Sequence, residues 1–157
     1  MFERVLGLPA HPLFIHAAVV LVPLLAIAGI LYAVWPGARR HVRWTMIVLA
    51  VATPGAVFAA KESGEAFQKS DNFQSAELQA KIEEHEGFGS NLFLIVLGLA
   101  LVALVMAYLV RPLADESVGP VAAHWALSGL TVLLGLAALY YVFKAGDTGA
   151  HMVWDGF

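Results

Sequence analysis

The sequence predicts an all-α integral membrane protein: an antiparallel four-helix bundle with an extracytoplasmic helical extension between helices 2 and 3. Three observations predict it. Of the 157 residues, 60% are hydrophobic and 13% charged, against roughly 45–50% and about 25% in soluble domains, and the mean hydropathy is +0.76. Four apolar runs are long enough to cross a hydrocarbon core of about 30 Å, which takes roughly 20 helical residues. None of these runs alternates with a period of two, so helices and not a β-barrel satisfy the backbone in lipid.

The same composition removes whole classes of function. A net charge of −3 offers no basic field for nucleic acid. The absence of cysteine excludes disulfides, thiolate metal sites, iron–sulfur clusters and covalently attached c-type haem. Six histidines remain as the soft, titratable ligands.

The four spans are expected at residues 12–35, 44–60, 92–110 and 121–143, within a single transmembrane domain. The first exceeds the apolar core of a signal peptide and ends in Trp35-Pro36-Gly37-Ala38-Arg39-Arg40 instead of a small-residue cleavage site, so it should stay in the mature protein. The second is shortest, but Lys61 can snorkel and residues 62–67 can carry the helix past the lipid. In the first connection Arg39, Arg40 and Arg43 have no acid to oppose them, which reads as cytoplasmic. Both termini and the second connection then lie outside. Tyr32, Trp35, Trp44, Tyr108 and Trp125 are expected near the inner interface, and Tyr140 and Tyr141 near the outer one.

In the second connection, Ser75 before Ala76-Glu77-Leu78-Gln79 looks like a capped helix start, so helix 3 should begin ahead of the membrane. The turn formers Ser70, Asp71 and Asn72 place the reversal within 69–74. Pro23 and Pro54 are expected to kink their helices, while Gly55, Gly98, Ser128, Gly129 and Gly135 permit close helix contacts. No repeat is evident beyond the two hairpins.

This topology gathers His11, His16, His85 and His151 on one side of the membrane, and leaves His41 and His124 on the other. Each has a plain reading beside the functional one. His11 could cap a helix, His85 could lie on a solvated charged face between Glu84 and Glu86, and His151 could sit in a frayed Gly-rich tail. His41 and His124 read as interfacial residues. His16 lies inside the first apolar run, where a polar ring is costly unless it faces the bundle interior. Glu62 and Glu65, three apart, share a face near the same layer and could orient an imidazole or accept a proton. A di-iron carboxylate bundle fails on spacing, because Leu13 and Ile82 stand where each Glu-x-x-His would need its acid. The residues alone leave three uses open: a haem b site, a copper or zinc site, or interhelical hydrogen bonding in a structural subunit of a larger membrane complex.

The stretch Leu8-Pro9-Ala10-His11-Pro12-Leu13-Phe14-Ile15-His16 resembles the opening signature of the bacterial membrane family catalogued as domain of unknown function 2231. His85-Glu86-Gly87-Phe88-Gly89-Ser90-Asn91 is similar to that family's histidine, followed by Gly and Asn, at the third span. The tail Gly146-Asp147-Thr148-Gly149-Ala150-His151-Met152-Val153-Trp154 resembles its glycine-rich closing motif. This sequence departs from the pattern at Ala17-Ala18, where an aromatic–proline pair is frequent, and at Ala150-His151, where small and acidic residues are common. Members joined to Rieske-type or cytochrome-type domains imply membrane electron transfer, in a bacterial inner (cytoplasmic) membrane.

The resulting expectation is a redox carrier more than an enzyme, with haem b near the outer face. His16 and His85 are the expected ligands, which requires His16 to turn inward, and His11 and His151 are alternatives. Glu62, Glu65 and Asn91 are expected to support the ligating rings. Electrons would pass between a quinone or neighbouring redox subunit and an outside partner, in a homo- or hetero-oligomer. The rival is a nitrogen-rich copper or zinc site built from His11, His16, His85 and His151.

Overall fold

Apolar runs of this length become helices because an isolated segment in lipid must satisfy every backbone group internally. The computed structural model describes residues 4–5, 8–70, 76–110 and 121–154. It has four long helices: α1 (Ala10–Val34), α2 (Arg39–Ser70), α3 (Ala76–Leu109) and α4 (Val121–Trp154). All four are long and apolar enough to cross a membrane. A 3-10 turn, Pro36–Ala38, joins α1 to α2. Ahead of α1, the two-residue strands β1 (Arg4–Val5) and β2 (Leu8–Pro9) pair antiparallel. This small hairpin has no counterpart in the sequence reading.

Contacts run round a ring, α1 with α2, α2 with α3, α3 with α4 and α4 with α1, so α1 and α3 face each other across the diagonal. Within the ring the start of α1 meets the end of α2, and the start of α3 meets the end of α4. The interior is filled by Val22, Leu25, Tyr32, Met46, Val96, Leu99 and Met106, all fully buried. Leu13, Val20, Leu101, Trp125, Leu133 and Phe143 stand exposed. Such an apolar exterior has lipid as its natural solvent.

Pro12 sits in the first turn of α1, where its missing N–H costs no intrahelical bond. Pro23 and Pro54 lie inside helices that remain continuous through them. Among the glycines expected at contacts, a Cβ on Gly135 would lie 3.1 Å from Ile30, and one on Gly98 would lie 3.7 Å from Leu134. A Cβ on Gly55 or Gly129 would meet nothing within 4 Å, so these two do not serve helix packing.

Helix ends differ from expectation mainly at polar segments. Lys69 and Ser70, part of the reversal expected at 69–74, still belong to α2, and 71–74 and the Ser75 cap lie outside the described residues. Helix α3 does begin ahead of its apolar run, at Ala76. The Gly-rich tail, open to fraying by propensity, instead continues α4 to Trp154; within it Gly149 lies against His85 of α3, while Gly146 meets nothing within 4 Å. Tyr32, expected near the inner interface, is buried within the bundle close to the end of α1, and its hydroxyl donates to the Val110 carbonyl.

A helix of 34 residues is about 51 Å long at 1.5 Å per residue. That exceeds a hydrocarbon core of about 30 Å. The surplus, residues 61–70, 76–91 and 144–154, lies at the end of the bundle where α1 begins. This is also where four of the six histidines fall.

Candidate functional site

Two imidazoles meet at that end. His11, in the first turn of α1, and His85, in the polar segment of α3 ahead of the apolar run at Leu92, lie with ring centres 6.5 Å apart and planes nearly perpendicular, at 87°. They come from diagonally opposed helices, so the pair lies across the middle of the bundle.

Each ring is held by the helix that follows its own. His11 Nδ1–H donates to the Ala60 carbonyl (3.0 Å) and lies 3.2 Å from the Ser63 hydroxyl, which itself donates to Ala60 O at 2.9 Å. His85 Nδ1 lies 3.0 Å from the Thr148 hydroxyl, and the Ala145 carbonyl stands close enough to favour the protonated ring. Thr148 donates within its own helix, to Lys144 O at 2.9 Å or Ala145 O at 3.3 Å. A carbonyl only accepts, and a hydroxyl that has spent its proton on a carbonyl must accept as well. Both Nδ1 atoms therefore carry hydrogen, and both neutral rings keep their lone pair on Nε2. Burial holds the His85 imidazole below its ordinary range, against a smaller opposing effect of the Ala145 carbonyl. The ring is neutral near pH 7.

Glycine makes the close approach of helix and ring feasible. A Cβ on Gly64 would lie 2.9 Å from His11 Cε1, and one on Gly149 would lie 3.1 Å from His85 Cε1. Any larger residue would push the imidazole away. Phe88 packs on Tyr141 with ring centres 6.2 Å apart, and the Lys144 ammonium lies 5.7 Å from the Phe88 centre, closing the α3–α4 side.

The other expected site residues are placed elsewhere. His16 is exposed, and its Nδ1 donates to the Pro12 carbonyl one turn back on α1. The inward-facing His16 that the His16–His85 pairing required is not formed. Its position five residues after His11 explains this, since about one and two-fifths turns of helix carry it off the face that His11 shares with α2. His151 is exposed too, with Nδ1 2.9 Å from Asp147 O and 3.5 Å from its carboxylate. Among the described residues no group of three or more His, Asp or Glu could hold a metal ion, so the four-histidine copper or zinc cluster is not assembled. Glu65 is engaged by Lys61, one turn earlier on α2. Glu62 is half-buried and Asn91 exposed. Beside the His11 ring, the hydrogen-bonding groups of α2 are the Ser63 hydroxyl and the Ala60 carbonyl. His41 and His124 stand in the first turns of α2 and α4, at the other end of the bundle.

Sequence reasoning passed over Ser63, Gly64 and Thr148. A signal was present: residues 60–64 read Ala-Lys-Glu-Ser-Gly and residues 145–149 read Ala-Gly-Asp-Thr-Gly, with alanine, an acid, a hydroxyl and glycine in register.

Four apolar helices around a diagonal pair of helix-anchored, neutral histidines define a membrane bundle with a two-histidine site at one end. The chain belongs to the family described as predicted membrane protein (DUF2231), whose profile matches residues 7–156. No curated protein and no solved structure matches it.

Proposed function

We propose that the chain is a membrane electron-transfer protein holding one b-type haem between His11 and His85. The ring spacing is the observation that carries this reading. Two imidazoles on opposite sides of one metal, each nitrogen about 2 Å from it, have ring centres roughly 6 Å apart, close to the 6.5 Å between His11 and His85. A b-type haem takes one or two such neutral nitrogens and no cysteine, and metal-bound histidines characteristically donate their other N–H to a carbonyl or similar acceptor. His11 and His85 satisfy each condition. A bound haem would supply a one-electron carrier, and the chain would supply ligation, ring orientation and burial.

In this reading the bundle is antiparallel, and the arginine-rich end faces the cytoplasm of a bacterial cell. The histidine end then forms an extension at the outer face of the inner membrane, with both termini outside. Electrons would pass between a membrane quinone or neighbouring redox subunit and an outside partner.

An absorption spectrum of detergent-purified protein, before and after dithionite, tests the reading. The reduced sample is expected to show a sharp haem α-band that His11→Ala and His85→Ala each remove and that His151→Ala leaves in place. A featureless spectrum from protein produced with ample haem, or a band that survives the His11→Ala/His85→Ala double change, would overturn it.

A further inference from the structure

We infer that the histidine end is one half-site built twice, with Ser63 and Thr148 as its matched positioning residues, and that it therefore takes a ligand gripped equivalently by both Nε2 atoms. The inference deepens the haem reading and rests on it for the identity of that ligand; the duplicated geometry itself stands apart.

In the first half, a ring from the start of α1 lies on the end of α2 against Ala60, Ser63 and Gly64. In the second, a ring from the start of α3 lies on the end of α4 against Ala145, Thr148 and Gly149. The carbonyl, the hydroxyl and the glycine recur at the same offsets, one helical turn apart. Each hydroxyl bonds a carbonyl of its own helix and receives the imidazole N–H of another. A single half could arise from ordinary packing. Two halves, converging across the bundle diagonal on rings 6.5 Å apart, impose the same tautomer on both histidines. A metal centre held here would take one Nε2 nitrogen from each half-site. A centre gripped by both would pass electrons and would not bind a small gas such as carbon monoxide or dioxygen.

Ring 15N spectra of the labelled, ligand-free full-length chain test the half-sites. His11 and His85 should both show a protonated Nδ1 and a bare Nε2. Ser63→Ala should shift the ring signals of His11 and leave those of His85, and Thr148→Ala should do the reverse. Ser63→Thr and Thr148→Ser exchange one half's hydroxyl for the other's, and both should retain the original signals. Protonated Nε2 in either ring, or a Ser63→Ala effect that falls equally on both rings or on neither, would overturn the duplicated half-site. The coordination claim is read separately, on the haem-loaded protein reduced under carbon monoxide. Its Soret band should not move in the unaltered chain, and a carbon monoxide shift there would overturn equivalent gripping. A protein with the expected tautomers and no haem band would instead remove the haem reading and leave the half-sites standing.

Discussion

The two ends of the bundle use the same device for opposite purposes. At the arginine end, polar side chains terminate on carbonyls that the helix ends leave unpaired. Tyr32 donates to Val110 O, Arg39 to the carbonyls of Tyr32 and Ala33, and Arg43 to Ala107 O through two nitrogens at 3.2 Å. Each guanidinium also meets the negative end of a helix dipole, that of α1 for Arg39 and that of α3 for Arg43. At the histidine end, the side chains again donate to carbonyls or hydroxyls of a neighbouring helix, but imidazole has a second nitrogen. Donation through Nδ1 leaves Nε2 with a lone pair. The arginine end is a closure, and the histidine end is a presentation.

The largest effect that would break this contrast is expected at Gly64. An alanine there would place Cβ 2.9 Å from His11 Cε1. Overpacking of this kind costs about 1–3 kcal/mol, and here it would also move the ring off Ala60 O. Gly64→Ala should therefore lower thermal stability in detergent and shift the His11 ring signals, while Gly55→Ala, in open space, should do neither. Equal behaviour of the two variants would mean that Gly64 is not a seat for the imidazole.

Tyr32→Phe probes the opposite end. It removes the donor to a buried carbonyl, a loss of about 1–3 kcal/mol. Because Tyr32 lies at the far end of α1, the His11 and His85 ring signals should be unchanged. A change there would show that the two ends are coupled.

How much of this was legible in the sequence depends on the length scale of the signal. The four helices follow from runs of apolar residues, and the chain's alternating passage through lipid brings residues 11, 60–65, 85 and 145–151 to one end without any detailed geometry. Which histidines pair was not legible from that argument. His11 and His16 are five residues apart on one helix, and only the contact of α1 with α2 decides that His11 points inward. Burial cost favoured His16 as the ligand because it lies deeper in the apolar run, but a ring at the bundle's exterior can satisfy one nitrogen on its own helix, at Pro12 O. The partners of the rings were missed for a different reason. Alanine, serine, threonine and glycine are common packing residues in membrane helices, so their repetition at 60–64 and 145–149 gains meaning only beside the imidazoles.

Acid should separate the two ends more gently. His85 is held below its ordinary range by burial, so the unfolded chain binds its proton at a higher pH than the folded one. Stability from this group is complete above its unfolded value, near 6.5. It falls as the pH drops from there through the lower folded value, with a slope of at most about 1.4 kcal/mol per pH unit for one proton. Melting temperature measured from pH 8 to pH 5 should decline on the acid side, and His85→Gln should flatten that decline. An unchanged slope in His85→Gln would assign the acid sensitivity to other groups.

The smallest effect is expected at His16, and its smallness discriminates between the two histidines of the opening motif. His16 is exposed and bonded only to its own helix among the contacts described, so His16→Gln removes no interhelical contact. Substitutions at such positions usually change stability by within about 0.5 kcal/mol. His11→Gln replaces a ring that spans from α1 to α2 and faces His85. If the depth of a histidine in the membrane decided its role, His16→Gln would abolish the haem band and His11→Gln would spare it. In the proposed haem reading the packing of α1 on α2 gives the reverse order, and the two reduced spectra, recorded side by side, distinguish burial by lipid from burial by protein as the source of the site.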